Sequence, residues 1–129
     1  MVSNAAKASR WKNAEKGIVT LLAKFGVTAE RISRGSDFGK SIDDVRVYGA
    51  PELKVDSKYS VNNWKTSRLL EEVREKYCIN SIEVPILFCK GYKEQGYKVT
   101  IDGDYFAMLL AHWLGKGTKE ELEKIFYGR

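Results

Sequence analysis

The spacing of apolar positions along the chain outlines nine helices and strands. Apolar side chains recur at three- and four-residue steps over 9–25, which predicts a first helix that begins near Ser9 and ends at Gly26. A short strand over 27–32 and a loop rich in Gly and Ser over 33–41 follow. One helix and one strand are therefore predicted before the hairpin over 44–58, which is described below.

The remaining elements follow a central hairpin. The pattern predicts a helix over 64–78, strands over 84–89 and 97–101, and two further helices over 105–114 and 118–127. With the hairpin included, the predicted order is α-β-β-β-α-β-β-α-α. This order predicts a mixed α/β (α+β) fold, in which helices flank a central mixed five-stranded sheet.

The hairpin occupies residues 44–58, and its apolar positions predict the pairing register. If the numbers of paired residues sum to 100, Val45 faces Val55 and Asp44 faces Asp56. All the valines and the leucine of the ribbon then lie on one face, as a half-buried ribbon requires.

The opposite face of the hairpin carries Asp44, Asp56 and Lys58, because side chains alternate across a strand. Cross-strand neighbours lie roughly 4.5–5.5 Å apart at Cβ, so that two carboxylates can share one hard cation. A lysine beside such a pair suggests metal-dependent phosphodiester cleavage. Two alternatives stay open: a longer turn places Asp44 opposite Ser57, and an ordinary amphipathic hairpin has the same pattern with a solvated polar face.

Three other acids are candidates for the same site. Glu15 lies on or beside the apolar stripe of the first helix, where it either reaches water at the edge or turns inward. Asp43 is a neighbour of Asp44, but a strand directs it to the opposite face. Glu52 and Lys54 form a second acid-x-Lys match, which ranks lower because it lies next to the turn.

Length and composition predict one soluble domain over 1–129. Of its 129 residues 43% are hydrophobic, which suits a chain of this length with a core of its own. We expect residues 1–8 to be flexible and 115–129 to form a C-terminal helical extension. The sequence shows no signal peptide, no membrane span and no zinc-ligand set, so we expect a cytoplasmic protein in which Cys78 and Cys89 are free thiols.

The net charge of +5 is concentrated in one half of the chain. Residues 1–65 hold 12 Lys and Arg against 7 Asp and Glu, whereas residues 66–129 hold 10 of each kind. A basic half of this kind suggests a polyanionic partner such as nucleic acid. The candidate phosphate contacts are Lys7, Arg10, Lys12, Lys16, Arg31, Arg34, Ser36 and Lys40.

The order of elements and acids resembles the PD-(D/E)xK nuclease superfamily, and within it the archaeal-type and phage Holliday junction resolvases. The resemblance covers about residues 9–110. Glu15 matches the acid of the first helix, Asp44 the acid of the second strand, and Asp56–Lys58 the acid-x-Lys signature of the third. The chain departs from the family pattern in having no proline before Asp44.

The resemblance implies a restriction-endonuclease-like fold and an endodeoxyribonuclease that depends on Mg²⁺ or Mn²⁺. In this sequence Asp44, Asp56 and the backbone carbonyl of Ser57 would ligate the cation. Lys58 would orient the attacking water or offset the charge of the pentavalent phosphate. Glu15 would complete the acidic cluster directly or through a water.

Junction resolution implies two active sites related by a two-fold axis, which a homodimer supplies. Such an enzyme would act on four-way junctions in DNA recombination and repair, and the small size suits a phage, archaeal or bacterial source. One alternative is another nuclease of the superfamily, which cuts duplex or flap DNA. A second is a non-catalytic basic module that binds nucleic acid. Apolar residues of the last two helices could form the dimer surface or belong to the core: Phe106, Leu110, Trp113, Ile125 and Phe126.

Overall fold

The architecture is known from a computed structural model of the chain. It describes residues 4–32, 36–37, 40–41, 44–60, 65–91 and 95–128, with the backbone alone for 4–11, 36–37, 40–41 and 60. The helices in this part of the chain are α1 (Asn4–Ala23), α2 (Thr66–Tyr77), α3 (Gly103–Trp113) and α4 (Lys119–Phe126). The strands are β1 (Ala29–Arg31), β2 (Ser36–Asp37), β3 (Lys40–Ser41), β4 (Val45–Val47), β5 (Leu53–Ser60), β6 (Val84–Gly91) and β7 (Lys98–Thr100).

Five strands form a mixed sheet in the order β1-β4-β5-β6-β7. The β5–β6 pair is parallel and the other three pairs are antiparallel. Helix α2 connects the two parallel strands, as a crossover between parallel neighbours requires. Within the described ranges, the mixed α/β class, the five-stranded sheet, and the order in which its strands and the four helices follow along the chain are as predicted from sequence.

Two features differ from the prediction: a small ribbon of two strands and the start of the first helix. Strands β2 and β3 pair with each other as a small antiparallel ribbon inside the predicted loop over 33–41. Helix α1 begins at Asn4, ahead of the predicted start at Ser9. A single sequence shows neither feature clearly, because two-residue strands have no usable period and an alanine-rich first turn propagates a helix without an apolar stripe.

The hairpin register is confirmed at Val45, which pairs with Val55. Both valines are fully buried and join the main core, where Ile18 of α1 packs against the sheet. The turn between the strands contains Gly49 at φ +89°, a conformation that side chains with a Cβ rarely adopt.

The two faces of the sheet are covered by different helices. Helix α1 packs on the face that carries the valines, and Tyr97 Oη donates a hydrogen bond to the carbonyl of Ala14 at 2.5 Å. A side chain at Gly17 would clash with that tyrosine, so this glycine permits the close approach of α1. The other face is covered by α2, whose buried stripe is Leu70, Val73 and Tyr77.

The last two helices pack against each other and against one end of the core. Tyr105 of α3 and Phe126 of α4 are in ring contact, with centroids 5.4 Å apart. A capping box at Thr118 and Glu121 begins α4. No helix among the described residues has both the length and the apolar character needed to cross a membrane. The two cysteines are free thiols, as predicted.

Candidate active site

Asp44 lies immediately before β4, and its backbone is held from both sides. Its N–H donates to the carbonyl of Val55 at 3.0 Å, and its own carbonyl accepts from the N–H of Ile32 at 2.9 Å. The aspartate therefore has a position fixed by β1 and β5, although it lies outside the strand itself.

The end of β4 also determines what the carboxylate of Asp44 contacts. Strand β5 continues to Ser60, beyond the point at which β4 can pair with it. The backbone N–H of Ser57 donates instead to Oδ2 of Asp44 at 3.0 Å. A side chain thus replaces a backbone partner at the place where the antiparallel ladder stops.

Asp56 lies in the middle of β5, between two neighbouring strands, and only 3% of it is exposed. It is a buried charged residue on the face that α2 covers, and a buried carboxylate is costly unless it has a partner. Lys58 supplies one, since its Nζ lies 3.0 Å from Oδ2 of Asp56. The predicted common face of Asp44, Asp56 and Lys58 is therefore present in the structure.

The carboxyl groups of Asp44 and Asp56 line the same cavity, and their proximity perturbs the ionisation of Asp44. Burial, the hydrogen bond to Asp56 and the charge of Asp56 together raise the pKa of Asp44 from 3.8 to about 8. The N–H of Ser57 opposes this rise, and the charge of Glu15 adds a small increase. Burial and a neighbouring carboxyl group both disfavour the charged form of Asp44.

A cavity of about 250 Å³ opens over this pair. Its walls are Glu15, Asp44, Asp56, Ser57, Lys58, Tyr59, Lys76 and Tyr77. All five residues that sequence reasoning assigned to catalysis or metal binding line this one cavity. The helix α1 contributes the first acid, the hairpin contributes the centre, and α2 contributes the far wall.

Three lining residues were not predicted from sequence: Tyr59, Lys76 and Tyr77. Tyr77 belongs to the apolar stripe of α2, and that pattern indicates a core residue and not a cavity wall. Lys76 lies next to it in the last turn of α2, with Nζ 5.3 Å from the ring centre of Tyr77. The sequence feature that could indicate Lys76 is its place as a basic residue at the end of the helix that follows the acid-x-Lys strand.

Glu15 reaches the cavity in the company of an arginine. The Nε of Arg31 donates to Oε1 of Glu15 at 2.6 Å, and both side chains are largely buried. Of the two alternatives for Glu15, reaching water at the edge of the helix or turning inward, the structure shows the second. Arg31, one of the predicted phosphate contacts, forms this ion pair instead.

The competing motif lies elsewhere in the molecule. Glu52 lines a different cavity beside α4, and Nζ of Lys54 lies 3.0 Å from Oε2 of Glu83. Neither residue lines the cavity of Asp44. Asp43, the other candidate, is outside the described residues.

Of the candidate phosphate contacts, Lys12 and Lys16 are exposed on α1. The backbones of Lys7, Arg10, Ser36 and Lys40 are placed, but their side chains lie outside the description, and so does Arg34 altogether. The role of these residues stays a prediction.

The donors in the cavity fit a hard divalent cation. Among the described residues, no three Asp, Glu, His or Cys side chains converge as a full set of protein ligands. Mg²⁺ is usually bound by only one or two carboxylates, with waters and substrate phosphates completing its shell. Asp44 and Asp56, which line the same cavity, provide such a pair.

No protein-family model and no curated protein matches this chain. What bears on function is therefore the geometry of the cavity and the charge around it.

Proposed function

We propose that this chain is a Mg²⁺- or Mn²⁺-dependent endodeoxyribonuclease of the PD-(D/E)xK type with a restriction-endonuclease-like fold. We further propose that it acts in the cytoplasm as a homodimer that resolves Holliday junctions during DNA recombination and repair. One observation carries the proposal: Asp44 and Asp56 line the same cavity at the hairpin, with Lys58 Nζ 3.0 Å from Oδ2 of Asp56.

The cavity offers separate residues for the cation and for the phosphate. Asp44 and Asp56 would hold the cation, and the carbonyl of Ser57 is a candidate for a further ligand. A divalent cation, when bound, neutralises charge on a phosphodiester and acidifies a coordinated water. Glu15 would add negative charge at the rim, with Arg31 holding its carboxylate in position.

The lysines of the cavity would deal with the anionic substrate. Lys58 lies beside the acidic pair, where a cation stabilises the charge that develops on a phosphate under attack. Lys76 lies on the opposite wall and suits a neighbouring phosphate of the same strand. Lys12 and Lys16 are exposed on α1, the helix that also carries Glu15, and they would extend the contact to further phosphates of a nucleic-acid backbone.

A first prediction concerns metal binding without any substrate. We expect Mn²⁺ at about 100 times its Kd to stabilise the protein by about 2.7 kcal/mol, because the cation binds the folded state alone. Thermal unfolding with Mn²⁺ and with a chelator measures this difference. The Asp56→Asn variant should lose the response and Glu75→Gln, which changes an exposed carboxylate of α2, should keep it. Equal melting temperatures with Mn²⁺ and chelator would favour the non-catalytic module.

A second prediction concerns the substrate. We expect the protein to cut a labelled four-way junction with Mg²⁺, to leave a linear duplex of the same sequence intact, and to be inactive with chelator. The cuts should be placed symmetrically across the junction. Equal cutting of junction and duplex would favour a restriction- or repair-type nuclease, and binding of the junction without any cut would contradict nuclease activity.

A further inference from the structure

Helix α3 exposes a second apolar stripe besides the one it buries. Tyr105 and Met108 pack into the main core, and this packing accounts for how α3 is attached. The second stripe consists of Phe106, Leu109, Leu110, Trp113 and Leu114, which are 55%, 44%, 39%, 81% and 56% exposed. Their spacing is that of a face which a helix normally buries.

The stripe carries no charge and adjoins a largely apolar groove. Residues 105–114 contain no Lys, Arg, Asp or Glu. A groove of about 300 Å³ between α3 and α4 has one charged wall residue, Asp104, among apolar ones, and Ile125 in its wall is 78% exposed. Exposed apolar surface of this extent marks an interaction surface.

We infer that two copies of this chain associate through the exposed stripe of α3, with the helices antiparallel about a two-fold axis near Leu110. In that arrangement Leu110 of each copy meets Leu110 of the other. Phe106 of one copy meets Trp113 of the other, because the two positions lie on the same side of the stripe and on opposite sides of its centre. The stripe is thus complementary to itself, as an isologous interface requires.

The available area fits a second copy as the occupant. A fully buried aromatic side chain contributes roughly 150–250 Å². With the exposed fractions of the two aromatic residues and three leucines of the stripe, the area that a partner could cover is about 500 Å². Each partner in an interface of standard size buries about 800 Å², and Ile125 with the adjoining groove supplies further area. Each copy carries a net charge of +5, which opposes self-association, but residues 105–114 add no charged side chain to the contact.

The inference of this interface depends on the exposure pattern of α3 and not on nuclease activity. It adds a dimer surface to the proposed function, since two chains related by a two-fold axis present two cavities to one junction. Mass is measured without DNA or metal, so failure of the interface and failure of the nuclease are distinguishable.

Light scattering and sedimentation of the purified protein test the interface. We expect a mass twice the 14.7 kDa of one chain, which falls to 14.7 kDa on dilution. Leu110→Glu and Trp113→Glu should each weaken association by about 100-fold or more, because they place a charge in the centre of the interface. The matched control is Phe25→Glu, since Phe25 is 79% exposed just after α1 and should not affect association.

Cross-linking tests the position of the axis. Leu110→Cys should form a disulfide-linked dimer under mild oxidation, and Phe25→Cys should not. A wild-type protein that stays monomeric at about 100 μM would overturn the inference, since specific interfaces of this size give tighter Kd values. A dimer that survives both glutamate substitutions would also overturn it. So would a monomer whose stripe binds vesicles of zwitterionic and anionic lipid, because the occupant would then be a membrane surface.

Discussion

Asparagine in place of Asp44 should stabilise the metal-free protein by about 2 kcal/mol near pH 8 and should abolish its response to Mn²⁺. The amide is an isostere of the protonated carboxyl. Its NH₂ can donate to Asp56 and its oxygen can accept from the N–H of Ser57, so both contacts of Asp44 are retained. What the substitution removes is the ionised form and, with it, a ligand for the cation.

The sign of the pH dependence follows from the direction of the pKa shift. The pKa of Asp44 rises from 3.8 to about 8 on folding, so the folded state holds this proton more tightly than the unfolded chain. The resulting stabilisation of the wild type is complete below about pH 4 and is lost as the pH rises through about 8. Each pKa unit corresponds to about 1.4 kcal/mol. Because water at the cavity mouth screens part of this electrostatic energy, we expect a stabilisation of only about 2 kcal/mol and not the full energy that the pKa shift would give.

Thermal unfolding in chelator, followed by circular dichroism near pH 4 and near pH 8, measures this effect. Asp44→Asn and wild type should unfold at similar temperatures at the acidic pH, and the variant should be more stable by about 6 °C at the basic pH. Glu75→Gln, on the exposed face of α2, should show no such gap. A gap of the same size at both pH values would mean that ionisation of Asp44 is not its cause.

The hairpin could be predicted because its physics is local. The valines have to share a face, and the period of two then determines which residues share the other one. The pairing of Val45 with Val55 therefore predicts that Asp44, Asp56 and Lys58 share a face. The amphipathic period of α2 predicted its existence for a similar reason.

What could not be predicted depends on contacts between distant elements. Arg31 meets Glu15 across the interface of β1 and α1, and neither residue's neighbours in sequence indicate the other. Lys76 lines the cavity because of how α2 is rotated on the sheet, and a sequence period does not determine that rotation relative to the acids. The apolar residues of α3 are equally ambiguous, since a buried stripe and an exposed stripe have the same composition.

The two lysines of β5 provide the other large effect that we expect. Lys58→Gln should lower metal-dependent cleavage by about 10²–10³-fold, because the amide cannot offset charge that develops on the phosphate. Lys54→Gln is the matched control on the same face of the same strand. Its Nζ pairs with Glu83 and it does not line the cavity, so cleavage should stay close to wild type.

Single-turnover rates with saturating protein and Mg²⁺ separate cleavage from binding for both variants. Each variant is first checked by circular dichroism below its unfolding temperature, because Lys58→Gln leaves the buried Asp56 without its ion pair. A loss of rate in Lys58→Gln with unchanged junction affinity would place the lysine at the reacting phosphate. An equal loss in Lys54→Gln would instead assign the chemistry to the Glu52-x-Lys54 motif and its cavity beside α4, and would contradict the site described above.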